Sequence, residues 1–353
     1  MGSGLTPPKR FSLLLFAALT LLTGCLQFEP GNTVSWSPSG RRVAFISEGK
    51  AWVYDMESGN LGALPSRREP SGVSWSPGEG LIATSTAGLV ELYVESSSGV
   101  FSSSSAFVMP FLGSDALSLL VWHPSGRKLL DAEIGGSAAE TSEIDVSSRE
   151  VVRLGAGVGV YGPDAAWLMW AAQAPIGKRE DKIVFDRQSA DGDSLPLGAE
   201  AVHVLEAGYL DTITSAQDQA SRQPVCARRE DAQRGRTDFY CLDAEGEPRR
   251  RASLSAAGHV FADQTRGLFA VVEEKSDEEP TLTIYDGEGR KRADAKKFLG
   301  VVRAAAGQDG AESLRVSRLA WSPDGNWLAW IVGGRLCLWN WRNDVVRVHE
   351  PPA

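Results

Sequence analysis

The run Val34-Ser35-Trp36-Ser37-Pro38-Ser39-Gly40 returns as Val73-Ser74-Trp75-Ser76-Pro77-Gly78-Glu79-Gly80. It returns again as Val121-Trp122-His123-Pro124-Ser125-Gly126 and last as Ala320-Trp321-Ser322-Pro323-Asp324-Gly325. One copy is a single supersecondary unit that cannot bury its own apolar face, so copies must pack on copies. The chain is therefore expected to build one repetitive architecture rather than several unrelated domains.

A second mark runs in parallel. Short apolar strands end in an aromatic or aliphatic residue followed by an acid or its amide. They are Tyr54-Asp55, Val94-Glu95, Ile144-Asp145, Phe185-Asp186, Leu242-Asp243, Tyr285-Asp286 and Trp339-Asn340, at intervals of 40, 50, 41, 57, 43 and 54 residues. The first unit reads as four strands: Thr33 to Ser37, Val43 to Ser47, Ala51 to Tyr54 and Asn60 to Leu64. Pro38-Ser39-Gly40 supplies a turn in which Pro presets φ and Gly accepts positive φ. The last unit repeats this layout over Arg318 to Ser322, Trp327 to Val332, Arg335 to Asn340 and Val345 to His349. Both terminal units look complete, so closure needs no strand borrowed from the other end. Trp167 to Ala171 reads as the second strand of the fourth unit, and no amphipathic helix is expected beyond residue 24. The fold class predicted is all-β, a seven-bladed β-propeller of four-stranded antiparallel blades over 33–350.

Trp-Ser-Pro-x-Gly followed closely by an Ala-Phe or Ala-Trp strand resembles the repeats of TolB-type, WD-like propellers. Trp36, Trp75, Trp122 and Trp321 match the motif tryptophan, and Pro38, Pro77, Pro124 and Pro323 the turn proline. The resemblance implies structural roles for these eight residues, the indoles wedging between blades. It implies no activity. TolB carries an α/β domain before its propeller, and the related oligopeptidases a hydrolase domain. This chain has no Gly-x-Ser-x-Gly elbow.

The first residues read as an export signal. Lys9 and Arg10 precede the apolar run Phe11 to Leu22. Twelve helical residues cover roughly 18 Å, short of the ~30 Å hydrocarbon core, so the run is not a permanent span. Leu22-Thr23-Gly24-Cys25 resembles the lipobox of bacterial lipoproteins. That resemblance implies cleavage after residue 24 and acylation of Cys25, with 25–32 as lipidated cysteine and short tether. A multiply acylated cysteine anchors stably. The protein is thus expected in the cell envelope, facing the periplasm. Leu26, standing where an Asp would retain the protein in the inner membrane, favours the outer one.

Loss of 1–24 removes two basic and no acidic residues, which leaves 34 Lys and Arg against 45 Asp and Glu, a charge of −11. That balance argues against nucleic acid as a partner. Cys226 and Cys241 flank the polar stretch Arg229 to Asp238; if that stretch is a hairpin loop, they face each other on paired strands. They are either a disulfide of the oxidising periplasm or two buried thiols. Cys337 reads as a core residue. The four histidines, His123, His203, His259 and His349, stand at no ligand spacing. No catalytic, metal or cofactor site is therefore expected. The function expected is a membrane-anchored scaffold that binds another envelope protein. The alternatives are a lactonase- or hydrolase-like enzyme, or a glycan- or small-molecule-binding sensor, working from the central channel.

Overall fold

The computed structural model describes residues 27–28, 33–78, 80–96, 100–110, 112, 117–123, 125–135, 138–156, 158–161, 167–172, 184–189, 194–195, 226–231, 236–242, 248–254, 259–263, 266–273, 281–296, 298–300, 315–316 and 319–352. Among the described residues its strands form seven sheets, antiparallel except for one pair in the last. The first comprises Val34–Trp36, Arg42–Ser47, Lys50–Asp55 and Leu61–Ala63. The second comprises Gly72–Trp75, Leu81–Thr86, Leu89–Glu95 and Phe101–Val108. The third comprises Leu117–Trp122, Lys128–Gly135, Ala138–Asp145 and Glu150–Ala156. The fourth opens with Val158–Tyr161 and Trp167–Ala172 and continues through Val184–Ser189 and Ser194–Leu195. The fifth shows three described strands, Cys226–Asp231, Arg236–Leu242 and Pro248–Leu254. The sixth holds His259–Asp263, Leu268–Glu273, Thr281–Asp286 and Lys291–Asp294. The seventh ends the series with Ala320–Trp321, Trp327–Val332, Arg335–Asn340 and Val345–His349. Among the described residues no helix is long and apolar enough to cross a membrane.

The two sequence marks are the two kinds of hairpin turn. In the first kind the motif serine ties the turn shut. Ser37 Oγ accepts from Arg42 N at 3.1 Å, and Ser322 Oγ accepts from Trp327 N at 2.9 Å. The turn closes at a glycine of positive φ, 71° at Gly40 and 68° at Gly325, where a Cβ is strained. In the second kind the acid at the strand end caps its own turn. Asp55 Oδ1 accepts from Glu57 N and Ser58 N, and Asp145 Oδ1 from Ser147 N and Ser148 N. Asp286 and Asn340 repeat the arrangement. These backbone donors favour the charged form, so Asp55 and Asp145 are held below the usual carboxylate range.

Where side chains are described, neighbouring sheets stack face to face through apolar clusters. Val73 and Trp75 pack with Ala44 and Val53 between the first and second sheets, and Trp122 with Val90 and Leu92 between the second and third. Trp321 and Trp330 pack with Phe261 and Ala270 between the sixth and seventh. The same rule then joins the chain's two ends: Trp36 and Phe45 of the first sheet pack with Ala320, Ala329 and Leu338 of the seventh.

Four details depart from the sequence expectations. The inner strand of the seventh sheet is only Ala320–Trp321, and Arg315–Val316 takes the vacant length of its neighbour, with Val316 opposite Val332. Gln27–Phe28, expected to be tether, pairs parallel with Arg315–Val316, so an N-terminal segment does join the last sheet. Phe185-Asp186 lies inside Val184–Ser189 rather than at its end, because pairing continues until Ser189 stands opposite Trp167. Finally, residues 296 and 298–300 are helical and deliver Phe298, stacked 5.6 Å from Trp339, to the core.

Candidate functional site

Cys25 and its lipobox residues Leu22, Thr23 and Gly24 lie outside the described residues, as does Pro124. The motif tryptophans are buried, and three of the indoles share one partner geometry. Trp36 Nε1 donates to Ala320 O at 3.0 Å, Trp122 Nε1 to Ser74 O at 3.3 Å and Trp321 Nε1 to Phe261 O at 2.9 Å. Each acceptor is the carbonyl just before the tryptophan position of the preceding sheet. Trp75 breaks the pattern: its Nε1 is buried without a hydrogen-bond partner. Pro38, Pro77 and Pro323 sit half-buried at the turns. These side chains hold sheets together and offer no reacting group. Cys226 and Cys241 stand directly opposite each other in register.

Of the histidines with described side chains, His123 is occupied, whereas His349 Nε2 is buried without a hydrogen-bond partner. His123 stands where other copies have serine, and its Nδ1 accepts from Ser125 N at 3.0 Å, as Ser76 Oγ accepts from Gly78 N at 3.3 Å. His349 lies 3.9 Å from the ring of Tyr54, and burial lowers its pKa. Cys337 is a buried free thiol, pushed up to about 12 by burial.

The charged chemistry of the interior gathers instead between the second and third sheets. Asp131 and Glu133 are 3% and 5% exposed and project from the same strand face. Asp131 is opposite Leu120, two residues before Trp122, as Phe45 is opposite Val34 before Trp36. The third sheet thus has a carboxyl where the first has a phenyl ring. Ser118 Oγ donates to Asp131 Oδ1. Glu133 Oε1 accepts from Gly88 N at 2.9 Å and its Oε2 from Leu112 N at 3.1 Å. Burial raises the Asp131 pKa to about 7, with Ser118 opposing and the Glu133 charge adding to the rise. Burial raises Glu133 as well. Glu140 continues the band outward and meets Arg153 Nη2 at 2.6 Å. On the other side of the second sheet, buried Glu91 accepts from Tyr93 Oη at 3.0 Å and Arg67 N at 3.2 Å. Among the described residues no group of three or more His, Cys, Asp or Glu side chains is arranged to hold a metal ion. The arrangement holds a proton near neutral pH and ties neighbouring sheets through backbone donors. Its signal in the sequence is Lys128–Gly135, which reads KLLDAEIG and places Asp131 and Glu133 where the first unit has Phe45 and Ser47.

The outer strands differ in composition. Pro248–Leu254 carries Arg249, Arg250 and Arg251, Val345–His349 carries Arg347, and Lys291–Asp294 is charged except at Ala293. Glu150–Ala156 carries Glu150 and Arg153. Such charges discourage pairing of an open edge with another chain. Phe101–Val108 has eight residues and no charge. A bulge opposite Leu92/Tyr93 leaves Ser104 over, and its hydroxyl donates to Leu92 O at 3.2 Å. Phe101 consequently packs between the first and second sheets and Phe107 between the second and third. Val94, Val100 and Val108 are exposed beside this strand, at 40%, 64% and 81%. Among the described outer strands this one combines an uncharged edge of eight residues with exposed valines at or beside it.

No family model matches the chain, and no curated protein is similar to it in sequence. Solved structures are similar. The β-propeller domain of Cps50 (Swd1) from Myceliophteria thermophila superposes with a TM-score of 0.56 at 13% identity, over 88% of this chain and 96% of that one. An oligogalacturonate lyase, in complex with manganese, superposes with a TM-score of 0.60 at 11% identity, over 93% of this chain and 90% of that one. TolB from Acinetobacter baumannii gives 0.42 at 14% identity, over 73% of this chain and 61% of that one, too distant to carry an argument. At these identities the likeness shows the fold alone, an all-β fold of propeller type.

Proposed function

We propose that this chain is a lipid-anchored, periplasm-facing scaffold: a closed seven-bladed propeller that binds another protein of the cell envelope along the outer edge of its second sheet. The uncharged strand Phe101–Val108 and its exposed valines carry the reading. Backbone groups on such an edge bind an extended segment by strand addition, and alternate side chains select it. Closure of the ring is supported by the packing of Trp36 and Phe45 against Ala320 and Leu338. The anchor is the acylated thiol of Cys25, in the outer membrane by the identity of Leu26.

The test is crosslinking in the native host and identification of captured proteins, for the wild type and for a Ser103→Lys/Ala106→Lys variant. Residues 103 and 106 are exposed, so the lysines charge the edge without entering the core. The reading expects one envelope protein enriched by the wild type and lost with the variant. Recovery of no envelope protein above background, or the same protein from both forms, would overturn it. The first result would turn the assignment to the channel-based enzyme or sensor.

A further inference from the structure

Every described sheet that shows all its turns presents them alike. Turns between first and second strands and between third and fourth strands meet at one end, as Met56 N→Arg41 O at 2.8 Å and Val146 N→Arg127 O at 2.9 Å record. Turns between second and third strands lie at the opposite end, together with the connections from sheet to sheet. There Leu64 N bonds Ala51 O and Met109 N bonds Gly88 O. Neighbouring sheets keep these ends in step. Ser47 Oγ donates to Gly334 O at 2.5 Å, and a Cβ on Gly40 would meet Pro323 at 3.5 Å. The protein therefore has two distinct faces.

Thr33 enters on the second of these faces, its carbonyl accepting from Ile46 N at 2.9 Å beside the Glu48–Gly49 turn. Gln27–Phe28 is pinned at the same end, through Arg315–Val316, opposite Val332 next to the Gly333–Gly334 turn. We infer that this entry face lies against the bilayer that holds the anchor, and that the face carrying the Pro38-Ser39-Gly40 and Pro323-Asp324-Gly325 turns points away from the membrane. The inference rests on the proposed acylation of Cys25. The seven residues from Leu26 to Asn32 reach at most about 25 Å. The strands are about six residues long, so the ring is about 20 Å thick. A tether that starts on the entry face and is paired there at Gln27–Phe28 has no length left to bring the far face to the lipid.

The experiment uses full-length lipidated protein in phosphatidylethanolamine–phosphatidylglycerol vesicles, with a photo-crosslinking residue in place of Lys50 on the entry face or of Glu57 on the far face. Lipid adducts are counted by mass spectrometry. Position 50 is expected to yield several-fold more adducts than position 57. A flexible Gly/Ser insert between Gly31 and Asn32, several times the tether's length, is expected to bring the two positions level. Equal adducts without the insert, or an excess at position 57, would overturn the orientation. A bias that survives the insert would overturn its origin in the tether. The anchor is read separately: Cys25→Ala should leave the membrane fraction, and if it stays bound the acylation itself is wrong.

Discussion

The indole N–H of Trp36 donates to the carbonyl of Ala320 at 3.0 Å, although 284 residues separate them. The bond repeats, between the first and seventh sheets, the contact that Trp321 makes with Phe261 and Trp122 with Ser74. The two ends of the repeat array thus treat each other as neighbours. The seam is reinforced by Gln27–Phe28, which pairs with Arg315–Val316 of the last sheet.

Trp75 provides the control for these bonds. In Trp36→Phe and Trp321→Phe a buried carbonyl loses its donor, an expected cost of about 1–3 kcal/mol beyond the lost contact area. Trp75→Phe removes a buried N–H that has no partner, so its cost should be smaller by that amount. Urea unfolding of the three variants measures the difference. Equal midpoints for all three would show that the indole bonds contribute nothing.

Asp131 makes stability depend on pH in a stated direction. Its carboxyl keeps its proton to about pH 7 in the folded protein but only to about pH 3.9 when unfolded. Between those values the folded form binds more protons, so stability falls as pH rises, by about 4 kcal/mol in all, and is flat above. Glu133 is raised too and adds to the slope with the same sign. Asp131→Asn should match the wild type near pH 4 and exceed it in Tm near pH 8. Parallel Tm curves for the two proteins would contradict the buried, proton-holding carboxyl.

The cysteines separate by alkylation. Cys226 and Cys241 are register partners on adjacent strands, and Cys337 is a buried thiol. If the pair is bridged, protein denatured without reductant should alkylate at Cys337 alone, and at all three positions after reduction. Labelling of Cys226 and Cys241 without reductant would show that they are free. The native fold should protect Cys337 in either case.

Much of this was legible in the sequence, for local reasons. Trp36, Ser37 and Gly40 mark a turn whose bonds are made within six residues, and Asp55 or Asp145 caps the turn that follows it. Such chemistry repeats because each unit closes its own hairpins. What escaped reading depends on neighbours far along the chain. Asp131 and Glu133 lie on a strand face that simple alternation assigns to solvent. They are buried because the second sheet covers that face and offers the N–H groups of Gly88 and Leu112. Gln27–Phe28 is too short to announce a strand, and only the gap beside Val332 makes it one. The uncharged edge at Phe101–Val108 shows in the sequence only as a serine run, which does not announce a strand. Its anchoring through Phe101 and Phe107 requires both adjacent sheets.

The proposed closure of the ring is tested most directly at Ser47 and Gly334. A Cβ on Gly334 would stand 3.3 Å from Ser47 Oγ, within reach of a sulfur at position 47, although the φ of 75° at Gly334 strains any side chain placed there. In a Ser47→Cys/Gly334→Cys variant under mild oxidation, peptide mapping should recover residues 47 and 334 joined by a disulfide in monomeric protein. Two free thiols at these positions, in protein that remains folded, would contradict the meeting of the first and seventh sheets.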